Sequence, residues 1–258
     1  MLELNPDQVH LWVTFFDDIR DEKLLARYRL LLQGEERQME QRIPCATSRH
    51  RYLVTRALVR TVLSCYAPVA PEQWRFTQNS YGKPEISNGN AMTNNISFNV
   101  SHTEGQVVLG VMSSGEIGVD TEEVRDRRSP LDAAEAFFSS EESDALGLLP
   151  SSTKQLRLLQ YWTLKESYIK ARGMGLSIPL NQFSFHFLRN DRVRLSIGPQ
   201  LKDEPSRWHF WQLWTSEKHM TAVCAERLGN CCMQLELKQV VPLGTAQSLN
   251  CVPILESE

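Results

Sequence analysis

Trp162–Leu180 reads WTLKESYIKARGMGLSIPL, and the rest of the chain is organised around it. The stretch has the form of the second half of a helix that starts near Thr153, after the cap candidates Ser151 and Ser152. Gly173 and Gly175 supply the backbone freedom that ends it, and Pro179 forbids its resumption. At 100° per residue, Leu158, Trp162, Glu166 and Ile169 fall on one line, with Lys170 one turn beyond the acid. A carboxylate inside an apolar stripe has to be paired, metal-bound or protonated, because burying it alone is costly. A structural i,i+4 ion pair with Lys170 and a functional site are both open at this point.

A second strand-like run aims acids the same way. Gly115–Val124 (GEIGVDTEEV) alternates, with Ile117, Val119 and Thr121 on one face and Gly118, Asp120 and Glu122 on the other. Like charges at i,i+2 destabilise a sheet unless a cation lies between them, while an acidic solvent face on an edge strand is the plain alternative. Asp120, Glu122 and Glu166 have no His or Cys companion. Oxygen-only ligation of this kind selects a hard cation, magnesium first and manganese second, which keeps waters and takes phosphate oxygens as further ligands.

Candidate cations precede the acids. Ser48–Tyr66 is an amphipathic helix with Val54, Leu58, Val62 and Cys65 on its apolar face. Arg49, Arg56 and Arg60 have the spacing of a solvated basic face, whereas Arg51 falls on the apolar line and needs an anion, either a protein carboxylate or a ligand phosphate. Lys83 sits in the turn NSYGKP, and His102 follows the alternating strand Ile96–Val100. Each of these is by itself an ordinary surface or strand-end residue. Together with the acids they suit phosphate chemistry on a divalent ion.

The remaining pattern is of mixed type. Val9–Phe16 is a strand, Glu22–Glu40 is helical, and Phe183–Phe187, Val193–Ile197, Trp208–Thr215 and Met220–Ala225 are strands. Trp208, Phe210, Gln212 and Trp214 share a face that reads as core. Helices followed by about three antiparallel strands occur twice, which implies an α+β chain of two similar halves, residues 1–114 and 115–226. Residues 227–258 read as a late strand and a loose tail. With 41% hydrophobic and 23% charged residues the chain is an ordinary globular protein, and a formal charge of −3 argues against a general nucleic-acid binder. Six cysteines without CxxC spacing suit neither a zinc site nor a disulfide framework. No apolar run approaches membrane-spanning length and no signal peptide opens the chain, so a cytoplasmic protein with reduced thiols is expected.

Four ordered motifs carry a specific resemblance: Tyr81–Pro84 (YGKP), Phe98–His102 (FNVSH), Gly118–Glu122 (GVDTE) and Trp162–Lys170 (WTLKESYIK), followed by GLSIPL at Gly175–Leu180. The chain closely resembles the 4′-phosphopantetheinyl transferases, in the surfactin-synthetase-activating type with a Trp-x-x-Lys-Glu-Ser motif. The resemblance spans roughly Ser48 to Ala225. It implies a pseudo-dimer of two α+β halves with coenzyme A in the cleft between them. It implies Asp120, Glu122 and Glu166 as magnesium ligands on the coenzyme A pyrophosphate, with Lys170 on the phosphate under attack. Ser101 and His102 would lie near the 3′-phosphate, and Lys83 and Arg51 among the nucleotide contacts. The family's phosphate-binding lysines align here with Glu36 and Met39, leaving Arg37 and Arg42 as nearby substitutes. Met174 stands where the family often has Lys.

The implied reaction moves phosphopantetheine to a serine of an acyl or peptidyl carrier protein. Glu166 is the first candidate for the base, directly or through a metal-bound water. A complete site in one chain implies a monomer with no nucleic-acid or membrane partner. Ser129–Leu149, with adjacent Phe137 and Phe138, is the candidate carrier-docking segment. A non-catalytic coenzyme A or nucleotide binder on the same fold, or a magnesium-dependent nuclease, would use the same residues. The intact acidic triad disfavours the first, and the absence of a basic stripe disfavours the second.

Overall fold

The computed structural model describes residues 1–89, 93–124, 137–229, 232–250 and 252–258. Two sheets stack face to face and each carries helices on its outer side. The first has the order β12-β11-β1-β5-β4, built from β1 (Gln8–Phe15), β4 (Ile96–His102), β5 (Gln106–Ser113), β11 (Gln234–Gln239) and β12 (Gln247–Leu249). The second has the order β6-β10-β9-β13-β8-β7, from β6 (Ile117–Glu123), β7 (Phe183–Phe187), β8 (Arg192–Ile197), β9 (Trp208–Ser216), β10 (His219–Glu226) and β13 (Leu255–Ser257). A short hairpin, β2 (Phe76–Gln78) with β3 (Pro84–Ile86), holds the YGKP turn at its tip.

Period-two alternation explains why the sheets can stack. On β1, Val9, Leu11 and Val13 point between the sheets against Ile117, Val119, Trp211 and Val223. Trp12 on the opposite face packs on α1 (Glu22–Leu31) and α3 (Ala46–Leu63) through Leu25, Tyr28, Val54 and Leu58. Beyond the second sheet, Phe183, Phe185, Trp208, Phe210 and Ala222 meet α5 (Ser151–Arg172) and α4 (Ser140–Gly147). Strands buried on both faces are apolar on both faces, as β5 shows from Val107 to Met112.

One expectation is met in detail and three are corrected. The organising helix ends at Gly173, whose φ of 64° is the left-handed cap conformation, with its N–H on the Ile169 and Lys170 carbonyls. The segment Glu22–Glu40 is instead two helices, α1 and α2 (Gly34–Arg42), because Leu32 and Gln33 turn extended between them. Arg60 is not on a solvated face. It is 1% exposed, and its Nε and Nη2 donate to Glu36 Oε2 at 3.1 and 2.7 Å while Nη1 reaches the Pro71 and Trp74 carbonyls. Trp214, near the end of β9, leaves the proposed aromatic core stripe with 37% exposure, whereas Trp208, Phe210 and Gln212 are buried.

The tail is not loose. β11 adds to β1 in parallel from Gln8↔Gln234 onward, and β13 inserts between β8 and β9, so the last thirty or so residues tie both sheets together. Four described cysteines, Cys45, Cys65, Cys224 and Cys232, are free. Among the described residues no helix is long and apolar enough to cross a membrane.

Candidate active site

The edge strands of the two sheets, β4 and β6, meet side by side, and side chains stitch them. Val119 N–H donates to Asn99 Oδ1 at 2.9 Å, Ser101 Oγ donates to Asp120 Oδ1 at 3.0 Å, and Glu123 N–H donates to Thr103 Oγ1 at 3.2 Å. Above this seam, between α3 and α5, opens a cavity of about 620 Å³. Its lining includes Arg51, Ser101 and His102 from the first half and Asp120, Glu122, Glu166 and Lys170 from the second, together with Tyr52, Arg56 and Trp162.

Close approach of α5 to β6 makes this possible. A Cβ on Gly118 would lie 2.0 Å from the Ser167 carbonyl oxygen and 2.2 Å from Ala171 N, so only glycine lets the helix lie this near. Asp120 and Glu122, on the same face of β6 as Gly118, thereby sit beneath Glu166 and Lys170. Lys170 Nζ donates to Asp120 Oδ1 at 2.6 Å and to Ser101 Oγ at 3.0 Å. Trp162 Nε1 donates to Glu122 Oε1 at 3.2 Å. The acidic face of β6 is therefore not solvated, and Asp120 is only 4% exposed.

Electrostatics shows a site with surplus negative charge. Burial, and then the neighbouring Asp120 charge, push the Glu122 carboxyl up to about 7. The same two causes in the same order raise Glu166. Asp120 Oδ2 is buried without a hydrogen-bond partner. Desolvation, followed by the Arg51 guanidinium, lowers the His102 pKa and favours a neutral ring. Among the described residues no three acid, His or Cys side chains form a ready-made metal cage. The Lys170 ammonium sits on one oxygen of Asp120. The donor set still fits a hard divalent cation: all oxygen, crowded, and with one buried oxygen unpartnered.

Three residues expected among the phosphate or nucleotide contacts, Lys83, Arg37 and Arg42, are not in the lining of this cavity. Lys83 does not line this cavity; its Nζ donates to Glu116 Oε2 at 2.6 Å and to the Ala171 carbonyl at 2.9 Å, clamping the hairpin to the end of α5. Arg37 is spent on the Leu32 and Leu30 carbonyls, and neither it nor Arg42 lines the cavity. Within the candidate docking segment, residues 129–136 lie outside the described residues. Phe138 is 5% exposed in the core, and Phe137, 41% exposed, stacks near Trp162 with ring centroids 5.7 Å apart.

Spacing did not single out Lys165. It is fully buried, with Nζ at 2.7 Å from Glu142 Oε2 and from the Leu180 and Phe183 carbonyls. Its neighbours one turn away on either side, Tyr161 and Tyr168, are the signal that it faces the core.

Comparison with known proteins identifies the class. Residues 116–224 match the 4′-phosphopantetheinyl transferase superfamily, and residues 20–114 match the family described as 4′-phosphopantetheinyl transferase, N-terminal. The chain is 30% identical over 199 residues to 4′-phosphopantetheinyl transferase Sfp of Bacillus subtilis, covering 77% of this chain and 84% of that protein. It is 33% identical over 171 residues to 4′-phosphopantetheinyl transferase ffp of Bacillus subtilis, covering 66% and 73%. It is 28% identical over 228 residues to 4′-phosphopantetheinyl transferase HetI of Nostoc sp., covering 88% and 92%. The chain belongs to the 4′-phosphopantetheinyl transferase family and is an enzyme of that class.

Proposed function

We propose that this enzyme transfers the 4′-phosphopantetheine arm of coenzyme A to a serine hydroxyl of an apo acyl or peptidyl carrier protein and releases adenosine 3′,5′-bisphosphate. The observation that carries this reading is the single cavity in which Asp120, Glu122, Glu166 and Lys170 of one half face Arg51, Ser101 and His102 of the other. One half offers acids for a cation and the other offers groups for phosphate. Residues 1–114 and 115–226 then act as the two halves of one monomeric, cytoplasmic enzyme, strapped by residues 227–258. No nucleic acid or membrane takes part.

Asp120, Glu122 and Glu166 would hold a magnesium ion, with manganese as a substitute. When bound, the ion supplies Lewis-acid neutralisation of the pyrophosphate charge. The chain's own residues do the rest. The serine oxygen forms a bond to the pantetheine-side phosphorus while the bond from that phosphorus to the bridging oxygen breaks, and the bisphosphate leaves with that electron pair. The serine proton goes to Glu166, directly or through a water, from a position on α5 that lines the same cavity as Asp120 and Lys170. The Lys170 ammonium, held between Ser101 and Asp120, is within the same cavity to offset charge on the transferred phosphate. Arg51 and His102 hold the nucleotide end, so that positioning supplies much of the rate.

Mass spectrometry of an apo carrier protein incubated with the enzyme, coenzyme A and magnesium tests the reading. The expected result is a gain of one phosphopantetheine, lost in Asp120→Ala and Glu166→Ala by about a thousandfold or more in rate. An unmodified carrier with wild-type enzyme would overturn the function. Full turnover by Glu166→Ala would overturn its role alone.

A further inference from the structure

Trp214 is the most exposed of the six tryptophans, at 37%. The indole N–H groups of Trp12, Trp74, Trp162 and Trp208 donate to Tyr66, Ser64, Glu122 and Asp203 respectively. That of Trp214 meets no acceptor among the described residues. A large apolar ring with an unmatched donor at its rim is what tryptophan presents at protein interfaces.

Strand register sets this ring close to the acids of the active site. Trp214 pairs with Met220 and Met220 with Glu122, so the three form one row across β9, β10 and β6. Two strand spacings separate Trp214 from Glu122 by about 10 Å between Cα atoms. Alternation puts the row on the face that α5 covers, where Gln212 Nε2 donates to the Gln160 carbonyl and to Thr163 Oγ1. The helix runs opposite to β9, because Ser167 lies over Gly118 while Trp162 reaches Glu122, and β6 and β9 are both antiparallel to β10. One turn back from Gln160 is Leu156, which is thereby at the level of Trp214, and it is 40% exposed. Glu122 thus has an exposed aromatic on either hand: Phe137 through Trp162, and Trp214 across Met220.

Trp214 and Leu156 are not in the lining of the cavity between α3 and α5, so coenzyme A is not what covers them. The protein substrate is different. It has to bring its serine oxygen to phosphorus beside Glu122, and its body must then cover the surrounding surface. An ordinary interface takes about 800 Å² from each partner, a disc roughly 16 Å in radius, and Trp214 falls inside it. Resting on the transferase reading above, we propose that Trp214 and Leu156 form a docking surface for the carrier protein, seating an apolar side chain that flanks its serine while Phe137 meets the same domain beside Trp162.

The test is steady-state transfer with carrier and coenzyme A varied in turn, for wild type, Trp214→Ala, Leu156→Ser and a control on α1, Leu30→Ala, at a position 70% exposed. Thermal melts and sedimentation at assay concentration accompany it. Trp214→Ala should raise KM for the carrier roughly tenfold to thirtyfold, and Leu156→Ser several-fold, with kcat and KM for coenzyme A close to wild type. Leu30→Ala should match wild type throughout. Leu156→Ser decides the matter if Trp214→Ala melts early. A carrier KM unchanged in both variants, or an equal rise for carrier and coenzyme A, would overturn the surface and leave the transferase reading standing. A wild-type dimer that Trp214→Ala converts to monomer would assign the patch to a second copy of the chain and overturn it as well. A wild type that modifies no apo carrier would overturn the reading on which the proposal rests.

Discussion

Gly118→Ala adds one methyl group at the point where α5 presses hardest on β6. The new Cβ would stand 2.0 Å from the Ser167 carbonyl oxygen, 2.2 Å from Ala171 N and 2.8 Å from the Lys170 carbonyl carbon. All three are helix backbone, so no side chain can rotate away. Real Cβ contacts stop near 3.0 Å, and α5 must therefore retreat from the sheet by about 1 Å. Lys170 and Glu166 ride on that helix, while Asp120 and Glu122 stay on the strand. The 2.6 Å contact between Lys170 and Asp120 opens accordingly. Overpacking of this kind costs about 1–3 kcal/mol of stability. A misplacement of about 1 Å between reacting groups costs on the order of a hundredfold in rate. The assay is kcat/KM for carrier modification beside urea unfolding. Gly110→Ala is the comparison, because its Cβ meets Val119 Cγ1 at 2.7 Å and Ile117 Cδ1 at 2.8 Å, side-chain atoms in the inter-sheet core. That variant should lose stability and keep most of its activity. A Gly118→Ala enzyme within twofold of wild type in kcat/KM would refute the claim that helix–strand proximity builds the site.

Lys165→Met should cost about 3–5 kcal/mol in urea unfolding, because it strands Glu142, 1% exposed, and two carbonyls in the core; a loss below about 1 kcal/mol would mean the pair is not the anchor of α5. Phe137→Ala should raise KM for the carrier several-fold, about 2 kcal/mol if it is a hot spot, and leave that for coenzyme A unchanged. Phe138→Ala, at a position only 5% exposed and packed on Tyr161, should instead cost about 3 kcal/mol of stability; the reverse pattern would move carrier docking elsewhere. His10 is 3% exposed, and burial followed by Lys238 lowers its pKa to about 4 despite the opposing pull of Glu236. Its folded pKa lies below the unfolded value, so its contribution is intact above pH 6.5 and is lost as pH falls to about 4, a total of about 3 kcal/mol. His10→Gln should flatten that limb of the stability–pH curve, and parallel curves for the two proteins would refute it.

The sequence alone determined the features that are local or periodic. Alternation along Gly115–Val124 placed Gly118, Asp120 and Glu122 on one face, and the structure keeps that order because a strand admits no other. The cap at Gly173 was legible because only a residue tolerant of positive φ can end the helix so abruptly. The family motifs were likewise written in consecutive residues.

What only the tertiary structure decided is which charges meet. Arg56 and Arg60 sit on the same stretch of α3, and their spacing made both look solvated. Glu36, from another helix, takes Arg60 into the core at 2.7 Å and meets Arg56 only at 3.9 Å. Lys83 carries a family motif, yet Glu116 and the Ala171 carbonyl, distant in sequence, hold its ammonium outside the main cavity. Lys165 is buried because Glu142 and two carbonyls converge on it from three separate segments. The strands after Arg227 carry no strong pattern of their own, and they are fixed by open hydrogen-bonding edges of β1, β8 and β9 contributed by the rest of the chain. Periodicity is a property of a segment and can be read along it. Pairing between segments depends on desolvation and contact in three dimensions, and those are defined only once the sheets have stacked and α5 has settled over Gly118.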